Sequence, residues 1–206
     1  TATGTLSAAV TGSSTIYTVT VTGMTGSGTI VASIPAGVAV DSVGNTNAAS
    51  TTSDNTVTYD TSAPSVTFNQ TTGQADPTNA VIINFTVVFN ESVSDFATGD
   101  VSFTGSTAGG VLMGTVTGGP STYNVAVTGM TTGGTVVASV GPNVAHDAAG
   151  NGNTASTSTD NTVTFNATTT GRTVAGTLTG TSAFAGLTFN GSGGGWSFSN
   201  NASTTG

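Results

Sequence analysis

Two short loops in this chain carry residue types that can bind a hard metal ion. Each loop places aspartate and asparagine side chains around a glycine. These residues are Asp41, Asn45 and Asn47 in the first loop and Asp147, Asn151 and Asn153 in the second. Calcium takes about six to eight oxygen ligands, and a loop of this kind can supply several of them. Calcium is therefore the candidate cofactor, and Asp54, Asp60 and Asp160 could add further ligands. The same loop side chains could instead hold the turns by hydrogen bonding to the backbone.

The chain offers little for catalysis. Glu91, Asp95 and Asp100 are the only local group of carboxylates, and their position after an apolar stretch favours solvated turn residues over an acid-base pair. The single histidine, His146, has Val40 as its counterpart in an internal repeat, so no serine, histidine and aspartate set is indicated. We predict that the protein is not an enzyme and has no catalytic residues.

The two loops belong to that repeat. Residues 1–60 align without a gap onto residues 107–166, and more than half of the aligned positions are identical. Self-similarity at a fixed period indicates an array of similar structural units. We therefore divide the chain into a first module (residues 1–60), a second module (61–166) and a tail (167–206).

Composition excludes two kinds of partner. The 206 residues carry a net charge of −8 and only one lysine or arginine, so little is available to neutralise the phosphates of a nucleic acid. An anionic membrane surface is disfavoured for the same reason. Moreover, no apolar run reaches the roughly 18 residues that a membrane-spanning helix needs. We predict neither nucleic-acid binding nor membrane insertion.

The second module has the pattern of short strands separated by turn residues. Its longest apolar stretch predicts a core strand with one face formed by Val81, Ile83, Phe85, Val87 and Phe89. Further strands are predicted at 65–69, 100–104, 111–117, 123–128, 135–140 and 162–165. Seven short strands in about 100 residues are typical of an immunoglobulin-like (Ig-like) β-sandwich. No segment shows helical periodicity.

Several segments resemble a known class of repeat. The chain is similar to the bacterial Ig-like repeats of large secreted surface and adhesin-type proteins in YNVAVTGM (123–130), GTVVASV (134–140), DAAGNGN (147–153), STDNTVTF (158–165) and the whole stretch 69–96. The resemblance covers residues 1–166 and implies a sandwich used as a spacer or display module outside the cell. We expect an all-β fold with tandem Ig-like β-sandwiches, the first of them incomplete, and a C-terminal β-strand tail.

The first module has no counterpart of residues 61–106. Seven apolar side chains are thereby missing from it, namely the counterparts of Val66, Phe68, Val81, Ile83, Phe85, Val87 and Phe89. Burying each contributes roughly 1.5–3 kcal/mol, so the loss is of order 10–20 kcal/mol, as large as the net stability of a domain. The missing strands must come from an upstream part of a longer chain or from another copy of this one.

The tail holds residues that could fill this gap. Leu187 and Phe189 are separated by one polar residue, and so are Trp196 and Phe198. This alternation of apolar and polar residues predicts donor strands or solenoid-like rungs. Inserting the tail of one subunit into the first module of the next would add strands between chains and would propagate into a filament. The aromatic side chains could alternatively form an exposed platform that stacks on sugars.

Carbohydrate could also be attached to the chain. Six asparagines begin an Asn-x-Ser/Thr triplet and are candidate glycosylation sites. They are Asn69, Asn84, Asn90, Asn166, Asn190 and Asn201.

These features predict a structural protein of the cell surface or extracellular space, either a spacer or a filament subunit. Its predicted partners are copies of itself in a head-to-tail polymer or neighbouring repeats of a longer chain. The alternative is a calcium-dependent adhesin segment that binds glycans.

Overall fold

The computed structural model describes residues 1–168, and this part of the chain is built almost entirely from β-strands. The first module contains β1 (Thr3–Ser13), β2 (Ile16–Gly26), β3 (Gly28–Val31) and β4 (Thr56–Tyr59). The second contains β5 (Val66–Gln70), β6 (Ile83–Phe89), β7 (Val101–Ser102), β8 (Gly109–Gly118), β9 (Thr122–Thr132), β10 (Gly134–Val137), β11 (Ser139–Val140) and β12 (Thr162–Phe165). One 3-10 turn, Thr98–Asp100, is the only helical element of the described residues. The fold is all-β, as predicted.

The second module pairs its strands in two groups. Four antiparallel strands form a sheet in the order β5-β6-β9-β8. The other group consists of β10 paired with β12 and β11 paired with β7, and only Ala138 separates β10 from β11. The segment before β12 also runs beside β5, because the Phe68 amide donates to the Thr157 carbonyl at 3.3 Å and the Thr157 amide donates to the Val66 carbonyl at 3.0 Å.

One hydrophobic core joins the two groups of strands. Alternate residues of β6 and β9, such as Phe85 and Val125, are fully buried in it. Val136 and Val163 enter the same core from β10 and β12. Alternation of this kind buries one face of each strand and leaves the other face to solvent.

The predicted strands of the second module are found, with three corrections. The strand predicted at 135–140 is divided at Ala138 into β10 and β11, which pair with different strands. Val81, predicted to lie on the core face, precedes β6 and is 77% exposed. The Thr78 amide donates to the Thr164 carbonyl, and the Thr78 hydroxyl accepts the Ala80 amide, so a turn occupies this segment and the strand begins at Ile83. The strand predicted at 100–104 is confined to Val101–Ser102, because Asp100 ends the 3-10 turn.

The first module repeats the pairings of the second at an offset of 106. Val10 lies opposite Val19 in the β1–β2 pair, just as Val116 lies opposite Val125 in the β8–β9 pair. Even the bulges recur. Gly4 and Gly110 both have positive φ and both follow a shift in register, where an added Cβ would meet a backbone oxygen about 2 Å away.

The first module has no interior of its own. None of residues 1–60 is buried, whereas their counterparts supply about half of the second module's core. Its strands form only two pairs, β1 with β2 and β3 with β4.

Candidate functional site

The most distinctive surface of the described residues is the uncovered apolar side of the two strand pairs of the first module. We call it the open face and define it by Tyr17, Val19 and Val21 of β2 together with Ile30 and Val57 of the β3–β4 pair. Their counterparts, Tyr123, Val125, Val127, Val136 and Val163, are all buried. The open face is therefore a core surface without its covering strands.

Exposure of individual residues shows how large the difference is. Tyr17 is 58% exposed and Tyr123 is 7% exposed, although both lie in the same register of the same strand pair. Val57 is 64% exposed and Val163 is fully buried. Apolar surface left in water is unfavourable in proportion to its area.

The edge of β2 next to the open face is also free. Among the described strands β2 pairs with β1 alone, whereas its counterpart β9 lies between β8 and β6. An unpaired edge presents main-chain amides and carbonyls that another strand can satisfy. One added β-strand could therefore pair with the free edge and cover part of the open face.

The two loops predicted to bind calcium are held by hydrogen bonds within themselves. In the second module the carboxylate of Asp147 accepts the amides of Ala149 and Asn151 at 2.8 and 2.9 Å, and it also accepts the side-chain amide of Asn151 at 2.8 Å. Asp41 accepts the corresponding bonds from Val43 and Asn45 in the first module. Asp41 and Asp147 therefore hold their turns by hydrogen bonding to the backbone, which is the alternative to calcium binding that the sequence offered.

The last asparagine of each loop also serves the turn. The side-chain oxygen of Asn153 accepts the amides of Val144 and Ala145, each at 2.9 Å, and Asn47 accepts the amides of Val38 and Ala39 at the same distance. An amide oxygen has two lone pairs, so both are engaged. A cation could recruit Asn47 or Asn153 only by displacing these donors.

The fold brings two of the possible ligands, Asp147 and Asp60, together with Glu91, which the sequence analysis placed in a turn. Asp60, Glu91 and Asp147 offer carboxylate oxygens within 4.8 Å of one another, where the first module meets the second. The side chain of Asn151 donates to the Asp60 carbonyl at 3.2 Å across this junction. Among residues 1–168 no carboxylate pair of this kind lies beside Asp41 and Asn45. We call these three carboxylates the junction carboxylates.

The three carboxylates repel one another at this distance when they are ionised. Burial raises the pKa of Glu91 above its usual value, and the charges of Asp147 and Asp60 raise it further. The hydrogen bond from the Asn151 side chain lowers the pKa of Asp147, so that residue stays ionised. The chain has no lysine, and its single arginine, Arg172, lies outside the described residues. A divalent cation is the counter-charge that oxygen ligands of this kind would select.

Glu91→Gln is expected to stabilise the protein near neutral pH in calcium-free buffer, because it removes one of the three repelling charges. A carboxyl group whose pKa is raised on folding costs stability as pH rises through its unfolded and folded pKa values, so the gain should vanish below about pH 4. Thermal melts at both pH values measure the gain. Calcium should raise the midpoint of the native chain more than that of the variant.

Asp41→Asn is the matched control for calcium, since its loop has the same hydrogen bonds but no counterpart of Glu91. Its calcium response should equal that of the native chain. Identical native melts in calcium and in chelator would exclude the junction carboxylates as a calcium site.

Asp95 and Asp100, the other two members of the acidic group predicted with Glu91, have separate partners. Asp95 accepts the amide of His146 at 2.6 Å and contacts the imidazole Nδ1 at 2.7 Å. Burial opposes ionisation of Asp95, but the hydrogen bonds from His146 outweigh it and lower the pKa. Asp100 accepts the Ala97 amide at 2.7 Å and so caps the 3-10 turn. Glu91, Asp95 and Asp100 therefore do not share one set of partners. Glu91 is a candidate ligand of the junction, although the sequence analysis had interpreted it as a solvated turn residue.

The candidate glycosylation sites differ in their surroundings. Asn90 and Asn166 are exposed, whereas Asn69 and Asn84 are partly buried. The Asn69 side chain accepts the amides of Thr159 and Asp160 at 3.1 Å. Outside the described residues lie Asn190, Asn201 and the four predicted assembly residues Leu187, Phe189, Trp196 and Phe198.

Comparison with family models, curated proteins and solved structures finds no match to this chain. Within residues 1–168 no helix is long and apolar enough to cross a membrane. The features of the described residues that bear on function are the open face, the free edge of β2 and the junction carboxylates.

Proposed function

We propose that this protein is a structural subunit of the extracellular space or cell surface. Two Ig-like modules are its building blocks, and the first is completed by strands from another copy of the chain. Repeated exchange of this kind builds a head-to-tail filament, because the donating and accepting surfaces lie on different parts of the subunit.

The strand order supports the Ig-like part of this proposal. An Ig constant-type sandwich packs a sheet of its first, second, fifth and fourth strands on a sheet of its third, sixth and seventh. The second module has β5-β6-β9-β8 as one sheet. The pairs β7–β11 and β10–β12 supply the other set, with β10 and β11 together in the place of the sixth strand.

The observation that carries the assembly proposal is the exposure of the open face. Its residues match buried ones position by position, so the face has the shape and chemistry of a protein interior without being one. Exposed apolar side chains are common on proteins, but core-type side chains on two strand pairs beside a free strand edge are an aggregation hazard unless something covers them. A covering strand from another subunit removes both the hazard and the exposed surface.

The full chain is expected to form particles that grow in length with concentration, visible by electron microscopy and by light scattering. Phe189→Ser combined with Trp196→Ser should leave it monomeric, because the two substitutions remove two of the four aromatic side chains of the tail. Val81→Ser together with Val111→Ser is the control, since both valines are highly exposed in the second module. Native chain that stays monomeric at all concentrations, with a folded first module, would contradict the proposal.

A calcium-dependent adhesin segment that binds glycans is the second candidate function. The junction carboxylates favour its calcium part. Its glycan part depends on Phe189, Trp196 and Phe198, which belong to the tail. Solvent-exposed tail aromatics and sugar binding without assembly would favour this candidate over the filament.

A further inference from the structure

We propose that the strand centred on Leu187 and Phe189 of one copy adds to the free edge of β2 in the next copy, antiparallel to it, in the place that β6 occupies beside β9. This inference rests on the proposed assembly and adds to it the acceptor edge, the direction of the donor strand and its register.

The second module defines what the donor must look like. In the β6–β9 pair, Ile83, Phe85 and Val87 lie opposite Val127, Val125 and Tyr123. All three β6 residues are fully buried. A donor for β2 must therefore present three alternating apolar side chains opposite Val21, Val19 and Tyr17.

Residues 185–190 of the tail meet this requirement. Ala185, Leu187 and Phe189 alternate with the smaller or polar residues Gly186 and Thr188. In the antiparallel direction of β6, Ala185 lies opposite Val21, Leu187 opposite Val19 and Phe189 opposite Tyr17. The aromatic ring of Phe189 then covers the most exposed aromatic residue of the open face.

Chain order supports the same assignment. The segment absent from the first module corresponds to β5, β6 and β7, and the tail holds three alternating stretches in succession, at 173–181, 187–189 and 196–198.

The place where the tail begins favours a second copy over the chain's own first module. Asn166, at the end of the second module, donates its amide to the Thr78 carbonyl, beside the start of β6. Asp60 meets Glu91, which follows the other end of β6. The seven residues of β6 span about 24 Å, so the tail leaves the second module at the end that faces away from the first.

Disulfide formation between two single-cysteine chains tests the register, because the native chain has no cysteine. Val19→Cys chains and Leu187→Cys chains are mixed, allowed to assemble together and then oxidised. Opposed residues of antiparallel strands lie about 4.5–5.5 Å apart at Cα, a separation that suits a disulfide. Since each chain has one cysteine, a mixed disulfide can form only between copies.

The matched control replaces Leu187→Cys with Thr188→Cys, whose side chain points to the opposite face of the donor strand. The mixed disulfide of Val19→Cys with Leu187→Cys should exceed that with Thr188→Cys by about tenfold or more, because only the first pair satisfies disulfide geometry. Mass spectrometry of the linked peptides gives the yields.

Each other result overturns a defined part of the inference. Filaments that link Val21→Cys to Leu187→Cys instead would disprove the register, and filaments that link neither β2 cysteine to the tail would disprove the donor. In both cases the proposed function would stand. Chains that remain monomeric by light scattering would overturn the proposed assembly as well.

Discussion

Tyr123→Ala is expected to lower the free energy of unfolding by about 3–5 kcal/mol, as truncation of a buried aromatic residue generally does. The same change at its counterpart, Tyr17→Ala, should alter the stability of the monomeric chain by less than about 0.5 kcal/mol, the usual range for an exposed position. Denaturant unfolding followed by circular dichroism measures both values. Tyr17→Ala and Tyr123→Ala thus form a matched pair of variants in one chain.

The contacts of Tyr123 explain the difference. Its ring lies edge-on to Phe89 and to Phe96, with centroid separations of 5.9 and 5.0 Å. Its hydroxyl donates to the Val93 and Pro120 carbonyls at 3.3 and 3.1 Å. Tyr123→Phe keeps the ring contacts and loses only the hydroxyl, so its cost should be near 1 kcal/mol. A Tyr123→Ala cost below that of Tyr123→Phe would contradict the packing described above.

Assembly should change the result at Tyr17 and leave that at Tyr123 unchanged. Once a donor strand covers the open face, Tyr17 has the surroundings of Tyr123, and Tyr17→Ala should weaken assembly. Each 1.4 kcal/mol lost corresponds to about a tenfold rise in the concentration needed for filaments. Equal assembly by native and Tyr17→Ala chains would show that the open face is not the interface.

Much of the fold could be predicted because strand periodicity is a local property. The alternation from Ile83 to Phe89 and the run Thr162–Phe165 are visible without any partner, and both form strands where predicted. Val81 continues the same alternation but is exposed, because the hydrogen bonds of Thr78 hold a turn that no period-two count can detect. Local pattern predicts which residues can form a strand, whereas turn contacts decide where it begins.

The candidate site was less predictable because it depends on contacts between distant residues. Asp147 was a predicted ligand and Asp60 a possible additional one, but Asp60 and Glu91 lie 87 and 56 positions from Asp147 in sequence. One signal did exist: Asp60 is replaced by Asn166 in the second copy, so the acidic residue is special to the junction. The spacing of Asp147, Asn151 and Asn153 instead reflects turn chemistry, since most of their polar atoms bind the loop itself.

Supplying the missing strands within one chain should abolish assembly. Placing a second copy of residues 61–106 directly before Thr1 recreates the sequence context of the second module, in which Ser106 precedes Thr107. The added segment contains eight buried apolar residues of the core, namely Val66, Phe68, Ile83, Phe85, Val87, Phe89, Val93 and Phe96. At roughly 1.5–3 kcal/mol each, their burial is more than enough to decide whether the first module folds by itself.

The extended chain is therefore expected to remain monomeric at concentrations where the native chain forms filaments. Its β2 amides should also become protected from hydrogen exchange to about the level of the β9 amides, because both strands would then be central in a sheet. The control carries Phe85→Ser and Val87→Ser in the added segment alone, so that the strand is present but its core side chains are not. This control should neither protect β2 nor prevent assembly. Filaments formed equally by the native and extended chains would mean that subunits join through some other surface, because an occupied edge cannot accept a second strand.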